Sequence, residues 1–183
     1  METEPLWRGV AVALITQFDA GDDVDHAATA AHAGKLIGYG VRAVLVVGST
    51  GEADALSDTE RMTLVGAVRQ ALPDSVPVLA GAGGAWSGQA AARVNAAVQA
   101  GADAVLVPPP RRCLDVAAFY ADVAAAAGGA PVFAYHYPGV AGGEVPVDAL
   151  GSLPVAGLKD STGDAERLLR ELAAWRGWTY VGS

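Results

Sequence analysis

The chain has 183 residues, 52% apolar and 17% charged, which suits one globular domain with a real core and excludes a disordered chain. Twenty acidic residues against 12 Lys plus Arg give a net charge of -8, and no basic stripe is present to neutralise nucleic-acid phosphates. No apolar run approaches the roughly 18 to 20 residues needed to span a bilayer. Cys113 is the single cysteine and no basic leader is visible, so neither a membrane nor a secreted setting is expected, and the cytoplasm is.

Taken in chain order, short β-branched runs fall at residues 9–16, 42–47, 76–80, 103–107, 131–135, 155–158 and 178–182. Alanine-rich stretches with helical spacing separate them, at residues 25–39, 57–71, 87–100, 115–127 and 164–175, with a shorter helix at 147–153. This rhythm predicts a run of β-α units whose strands are buried on both faces. Ser57-Asp-Thr-Glu60 reads as a capping box. Gly40, Gly101 and Gly128 each follow a helix, where a left-handed residue turns the chain into the next strand. Seven strands fit either a (β/α)8 barrel short of its eighth strand or a doubly wound sheet, and the rhythm does not choose between them.

In parallel α/β folds the carboxyl ends of the strands form the active face, and several of them carry unusual residues here. The second strand runs into Gly48-Ser-Thr-Gly-Glu52, the fourth into Pro108-Pro-Pro-Arg-Arg112 and the fifth into Tyr135-His-Tyr-Pro138; the sixth ends at Lys159. Lysine is scarce, since only Lys35 and Lys159 occur against ten arginines. Lys35 lies in a predicted helix and reads as a solvated charge. Lys159 ends an apolar strand, where it can snorkel to solvent or serve as a desolvated nucleophilic amine, a role arginine cannot fill. Tyr135 is a phenol at a strand end, able to move protons or simply to be buried with a satisfied hydroxyl. The Gly48–Glu52 turn offers small residues, backbone amides and two hydroxyls to an anion such as a carboxylate, with Glu52 as an inward anchor; an ordinary loop has the same composition. Strand alternation points His136 away from the face that carries Tyr135. The three histidines lack metal-ligand spacing, and Gly81-Ala-Gly-Gly84 is not a dinucleotide fingerprint but a turn of close approach.

Together these strand ends resemble the dihydrodipicolinate synthase and N-acetylneuraminate lyase family of Schiff-base aldolases. The motifs run from the opening strand at residues 9–19 through Gly48–Ser57, Ala80–Gly84 and Ala100–Val105 to Tyr135-His-Tyr-Pro138 and Gly157-Leu-Lys-Asp-Ser-Thr-Gly-Asp164. The resemblance implies a TIM (β/α)8 barrel, with residues 1–183 forming a single, C-terminally incomplete barrel domain that covers about the first seven strands. It implies that Lys159 forms an imine with pyruvate or a related 2-keto acid, that Tyr135 shuttles protons, and that Ser49 and Thr50 hold the keto-acid carboxylate. It also implies a small-molecule aldehyde as the other substrate, no metal or organic cofactor, and a homotetramer.

Three features depart from the family pattern. Arg111 and Arg112 stand where many members carry two tyrosines, Val140 stands where the synthase carries an arginine, and members run on past this length. The departures favour a lyase or aldolase other than the 4-hydroxy-tetrahydrodipicolinate synthase of lysine biosynthesis, with Arg111 or Arg112 as contacts for a distal acidic group. The synthase itself and a non-catalytic keto-acid-binding member are the alternatives. A doubly wound nucleotide-binding domain is disfavoured, because no phosphate fingerprint follows the first strand.

Overall fold

The computed structural model describes residues 4–182, and in it the chain resolves into two compact units. One unit holds residues 5–81 and 96–104; the other holds residues 4, 82–95 and 105–182.

In the first unit the elements are β1 (Ala11–Ala13), α1 (His26–Gly38), β2 (Ala43–Val46), a 3-10 turn (Ala53–Ala55), α2 (Asp58–Ala71) and β3 (Val78–Gly81). The strands pair in parallel and in chain order, with Val12 opposite Val44 and Leu45 opposite Leu79. Every residue of β2 is buried, which accounts for its unbroken apolar run. Leu64, Val65 and Val68 of α2 are buried with the strand residues, and α1 packs on α2. The capping box expected at Ser57 and Glu60 is present: Ser57 Oγ accepts from the Glu60 amide, and Glu60 Oε2 accepts from the Ser57 amide at 2.8 Å. Arg69 pins the entry to β3, donating to the carbonyls of Val76, Leu72 and Pro73 and to Asp103 Oδ2 at 2.7 Å. The same Asp103 oxygen accepts from the Val78 amide at 2.8 Å.

In the second unit lie α4 (Val116–Ala126), β5 (Val132–His136), a 3-10 turn (Val147–Ser152), β6 (Gly157–Asp160), α5 (Ala165–Ala174) and β7 (Trp178–Val181). The unit boundary falls inside α3 (Ser87–Gln99) and β4 (Ala104–Val107). Again the pairing is parallel and sequential: Val105 faces Val132, Phe133 faces Gly157, and Gly157 faces Trp178. Gly157 is required there, because a Cβ would lie 2.3 Å from the Phe133 ring, which packs in turn near Trp178 and Tyr180. Gly40, Gly101 and Gly128 take the expected left-handed conformation after their helices.

Differences from the sequence expectation concern ends. The first strand is assigned to three residues only, though Leu14 still donates to the Leu45 carbonyl at 2.9 Å. His136 and Asp160 belong to their strands and do not follow them, since the ladder persists through His136 opposite Asp160. The short helix before β6 is a 3-10 helix. Among the described residues no helix is long and apolar enough to cross a membrane.

Candidate active site

Lys159 and Tyr135 are brought together. They are register partners on β6 and β5, and successive strand residues alternate faces, so both side chains leave the sheet on the same side. The Lys159 Nζ lies 4.7 Å from the centroid of the Tyr135 ring. Tyr135 is buried, and Lys159 is half-buried. Burial without a countercharge pushes the lysine amine below its ordinary value, because the neutral form tolerates low dielectric better than the cation. Lys35, the other lysine, is exposed on α1.

β5 is held firmly at this point. The fully buried Tyr120 of α4 donates its hydroxyl to the Val107 carbonyl at 2.8 Å and makes a further hydrogen bond with the backbone of Tyr135. Burial keeps that phenol protonated, so Tyr120 acts as a neutral strut. The ring of Tyr137 lies 6.4 Å from that of Tyr135.

In the other unit, Ser49 and Thr50 occupy an exposed turn directly after β2. Val47, a β-branched residue, enters it at φ 50°, a left-handed conformation that such residues rarely adopt. Gly81 makes this possible: a Cβ on it would lie 2.2 Å from the Val47 carbonyl oxygen. Thr16 Oγ1 donates to the Gly51 carbonyl at 2.6 Å and ties the turn to the chain beyond β1.

Two expectations for this turn are corrected. The amides of Gly51, Glu52 and Ala53 are spent inside it, on the carbonyls of Gly48 and Ser49, so only its first part can present N–H groups to a guest. Glu52 is exposed at φ 54° and its side chain makes no capping bond to the 3-10 turn it precedes, so it is not an inward anchor; the buried tie is Thr16.

Arg111 lies along the loop that follows β5. Its Nη2 donates to the Val140 carbonyl at 3.1 Å and its Nη1 to the Pro138 carbonyl at 3.5 Å. That loop is seated tightly, since Gly143 donates to Pro109 at 2.7 Å and a Cβ on Gly142 or Gly143 would strike the carbonyls of Pro109 or Pro110. Arg112 is exposed. Burial pushes the Cys113 thiol up, which disfavours its thiolate, and the Sγ donates to the Asp115 carbonyl at 3.4 Å.

Sequence reasoning missed a buried ionic cluster behind β6. Arg167 Nε lies 2.8 Å from Asp160 Oδ2 and 2.8 Å from Glu171 Oε1, with all three side chains almost wholly buried. Asp160 Oδ1 also accepts from the amide and hydroxyl of Thr162 at 2.7 and 2.6 Å. Burial raises the Glu171 carboxyl to about 7, helped by the neighbouring Asp160 carboxylate, while the bonds from Thr162 and Arg167 hold Asp160 low. The pair therefore carries a carboxylate and, below neutrality, a carboxylic acid around one guanidinium. The available signal was the i, i+4 spacing of Arg167 and Glu171.

A profile of the dihydrodipicolinate synthetase family matches residues 6–177. A 4-hydroxy-tetrahydrodipicolinate synthase of Salinibacter ruber is 38% identical over 176 residues, covering 92% of this chain and 58% of the relative. An uncharacterized DapA-like lyase of Halobacterium salinarum is 37% identical over 182 residues, covering 95% of this chain and 60% of its own. Among solved structures, the dihydrodipicolinate synthase of Cyanidioschyzon merolae with lysine bound superposes with a TM-score of 0.90 at 26% identity, over 98% of this chain and 65% of that one. YagE of E. coli K12, a prophage protein of the dihydrodipicolinic acid synthase family in complex with pyruvate, superposes at 0.88 with 26% identity, over 97% and 64%. The chain thus spans about 60% of the length of the curated relatives it matches. These matches choose the TIM-barrel fold over the doubly wound sheet, with seven of its strands present. By profile and by identity, this chain belongs to the dihydrodipicolinate synthetase family.

Proposed function

We propose that the chain carries the Schiff-base machinery of a class I aldolase or lyase acting on pyruvate or a related 2-keto acid. The observation that carries this reading is the half-buried Lys159 amine, lowered by desolvation and 4.7 Å over the ring of its register partner Tyr135. A neutral amine is what a ketone carbon requires. The Lys159 nitrogen adds to C2 of the keto acid, and the carbinolamine loses water to give a protonated imine. That cation accepts the electron pair left when a proton departs from C3, and the resulting enamine adds to an aldehyde carbon. Hydrolysis then returns the lysine, and the reverse sequence cleaves the bond.

Tyr135 is assigned the proton transfers of imine formation, as the phenol over whose ring the amine lies. Ser49 and Thr50 are assigned the substrate carboxylate, on the strained turn that displays their hydroxyls. Pyruvate as the ligand of YagE supports the keto-acid class. Arg111 is assigned to shaping the distal part of the site, because its guanidinium is engaged with loop carbonyls; Arg112 is left as the exposed cation for a distal acidic group. The assembly assigned to the working enzyme is a homo-oligomer.

Borohydride with pyruvate is expected to leave a covalent adduct on Lys159, read by peptide mass, and Lys159→Ala to abolish it. A folded chain that forms no adduct overturns the reading. The name of the Salinibacter relative favours a second, narrower reading, 4-hydroxy-tetrahydrodipicolinate synthesis. Assay with the aldehyde of that reaction separates the two, and a rise in melting temperature with pyruvate but no turnover marks a binding-only member.

A further inference from the structure

Tyr135 and Lys159 share one face of β5 and β6. The residues that follow them, His136 and Asp160, are register partners on the opposite face, where they are 3% and 5% exposed. Neither is packed as an apolar residue would be. His136 Nδ1 accepts from the Val145 amide at 3.0 Å. The carbonyl of the same residue, Val145, accepts from Arg167 Nη2 at 2.7 Å. Arg167 Nε then donates to Asp160 Oδ2 at 2.8 Å. Three hydrogen bonds therefore run from the end of β5, through the backbone of Val145 and one guanidinium, to the end of β6.

This back-face link has no purely apolar rationale. Burying a guanidinium and a carboxylate is costly, and an apolar pair of the same volume commonly stabilises as well or better. What the ions supply is direction, because a guanidinium has a rigid, planar set of donors that fixes its partners in angle and distance. The partners here are the two strand ends from which Tyr135 and Lys159 project. Asp160 is also the chain neighbour of Lys159, and its second oxygen fixes the turn after β6 through Thr162.

We propose that Arg167 is a positioning residue for the Tyr135–Lys159 pair: through Asp160 and the Val145 carbonyl it ties the end of β6 to the end of β5 from behind and sets the geometry in which amine and phenol meet the keto acid. The proposal rests on the Schiff-base reading of Lys159.

Its test is the initial rate of pyruvate-dependent borohydride labelling at Lys159, followed by peptide mass and measured against pH. Arg167→Lys keeps the cation but has one compact head, which cannot span Asp160 and the Val145 carbonyl together. A folded Arg167→Lys chain is expected to label about tenfold or more slowly, the range that misplaced reacting groups produce. The pH midpoint of its labelling is expected to move up towards that of an ordinary lysine, a shift that a loss of stability alone does not cause. Asp160→Asn is the second variant, with the same expectation, and Arg170→Lys on the exposed side of α5 is the unaffected control. Either variant, folded and labelling with the original rate and midpoint, overturns the proposal. Failure of both to fold overturns it as well, because the cluster is then needed for the fold itself. Absence of labelling in the unsubstituted chain overturns the Schiff-base reading and this proposal with it, an outcome separable from the others.

Discussion

Tyr135 stands directly opposite Lys159 on the neighbouring strand, and the lysine amine rests over its ring. On the proposed reading the ring and the hydroxyl do different work: the ring helps keep the amine out of water, while the hydroxyl carries the proton. Tyr135→Phe is expected to keep the pH midpoint of Lys159 labelling below the ordinary lysine value of about 10.4. Turnover should fall by about a hundredfold or more, the usual loss of a general acid–base group. Turnover at the original rate in this variant would remove Tyr135 from the proton path.

Glu171 gives the fold a pH signature. Its carboxyl is raised to about 7 by burial and by the Asp160 carboxylate beside it, so the folded chain holds a proton that the unfolded chain releases above about pH 4.5. Folded protein binding the extra proton means that stability falls as pH rises. The contribution is fully present below the unfolded value and is lost by the time pH passes about 7. Denaturant unfolding is expected to show a decline of about 1 to 3 kcal/mol across that window. Glu171→Gln, which cannot ionise, should flatten it. An unchanged slope in Glu171→Gln would mean that other groups set the profile.

Gly81 cannot be replaced cheaply. A Cβ there would lie 2.2 Å from the Val47 carbonyl oxygen, at the residue whose left-handed φ aims the Ser49-Thr50 turn. Gly81→Ala is expected to lower stability by about 1 to 3 kcal/mol, the cost of forcing an atom into filled space. It should also weaken pyruvate binding, read as a smaller ligand-dependent rise in melting temperature. Gly34→Ala on α1 is the control, because a Cβ there meets nothing within 4 Å. Equal stability in the two variants would show that the turn shifts freely.

What the sequence made legible was local or periodic. The capping box at Ser57, the glycines after helices and the strand rhythm depend on neighbours a few residues away, and they are found where expected. The register that sets Tyr135 opposite Lys159 comes from the β5–β6 ladder and is not readable from the spacing of the strands. Arg167 and Glu171 escaped because α5 reverses the usual rule. Hydropathy turns its leucines inward, yet Leu169 and Leu172 are 68% and 50% exposed while the two charged residues are buried. The partners that make this tolerable, Asp160 and the Val145 carbonyl, are 7 and 22 residues from Arg167, beyond the reach of any local pattern. Arg111 escaped for a similar reason: its acceptors, the Pro138 and Val140 carbonyls, are presented by a loop that Gly142 and Gly143 let settle on Pro109 and Pro110.

The reversed polarity of α5 also governs how the chain behaves in bulk solution. At neutral pH a net charge of -8 adds repulsion between molecules, although two leucines on one helix face water. Mutual repulsion vanishes near the isoelectric point of about 4.7, while the leucines stay where they are. The same acidification protonates Glu171 and tightens the fold around it. Between pH 7 and the isoelectric point, conformational stability from this cluster and colloidal solubility therefore move in opposite directions. The pH at which the cluster holds best is one at which the protein, at high concentration, most readily comes out of solution.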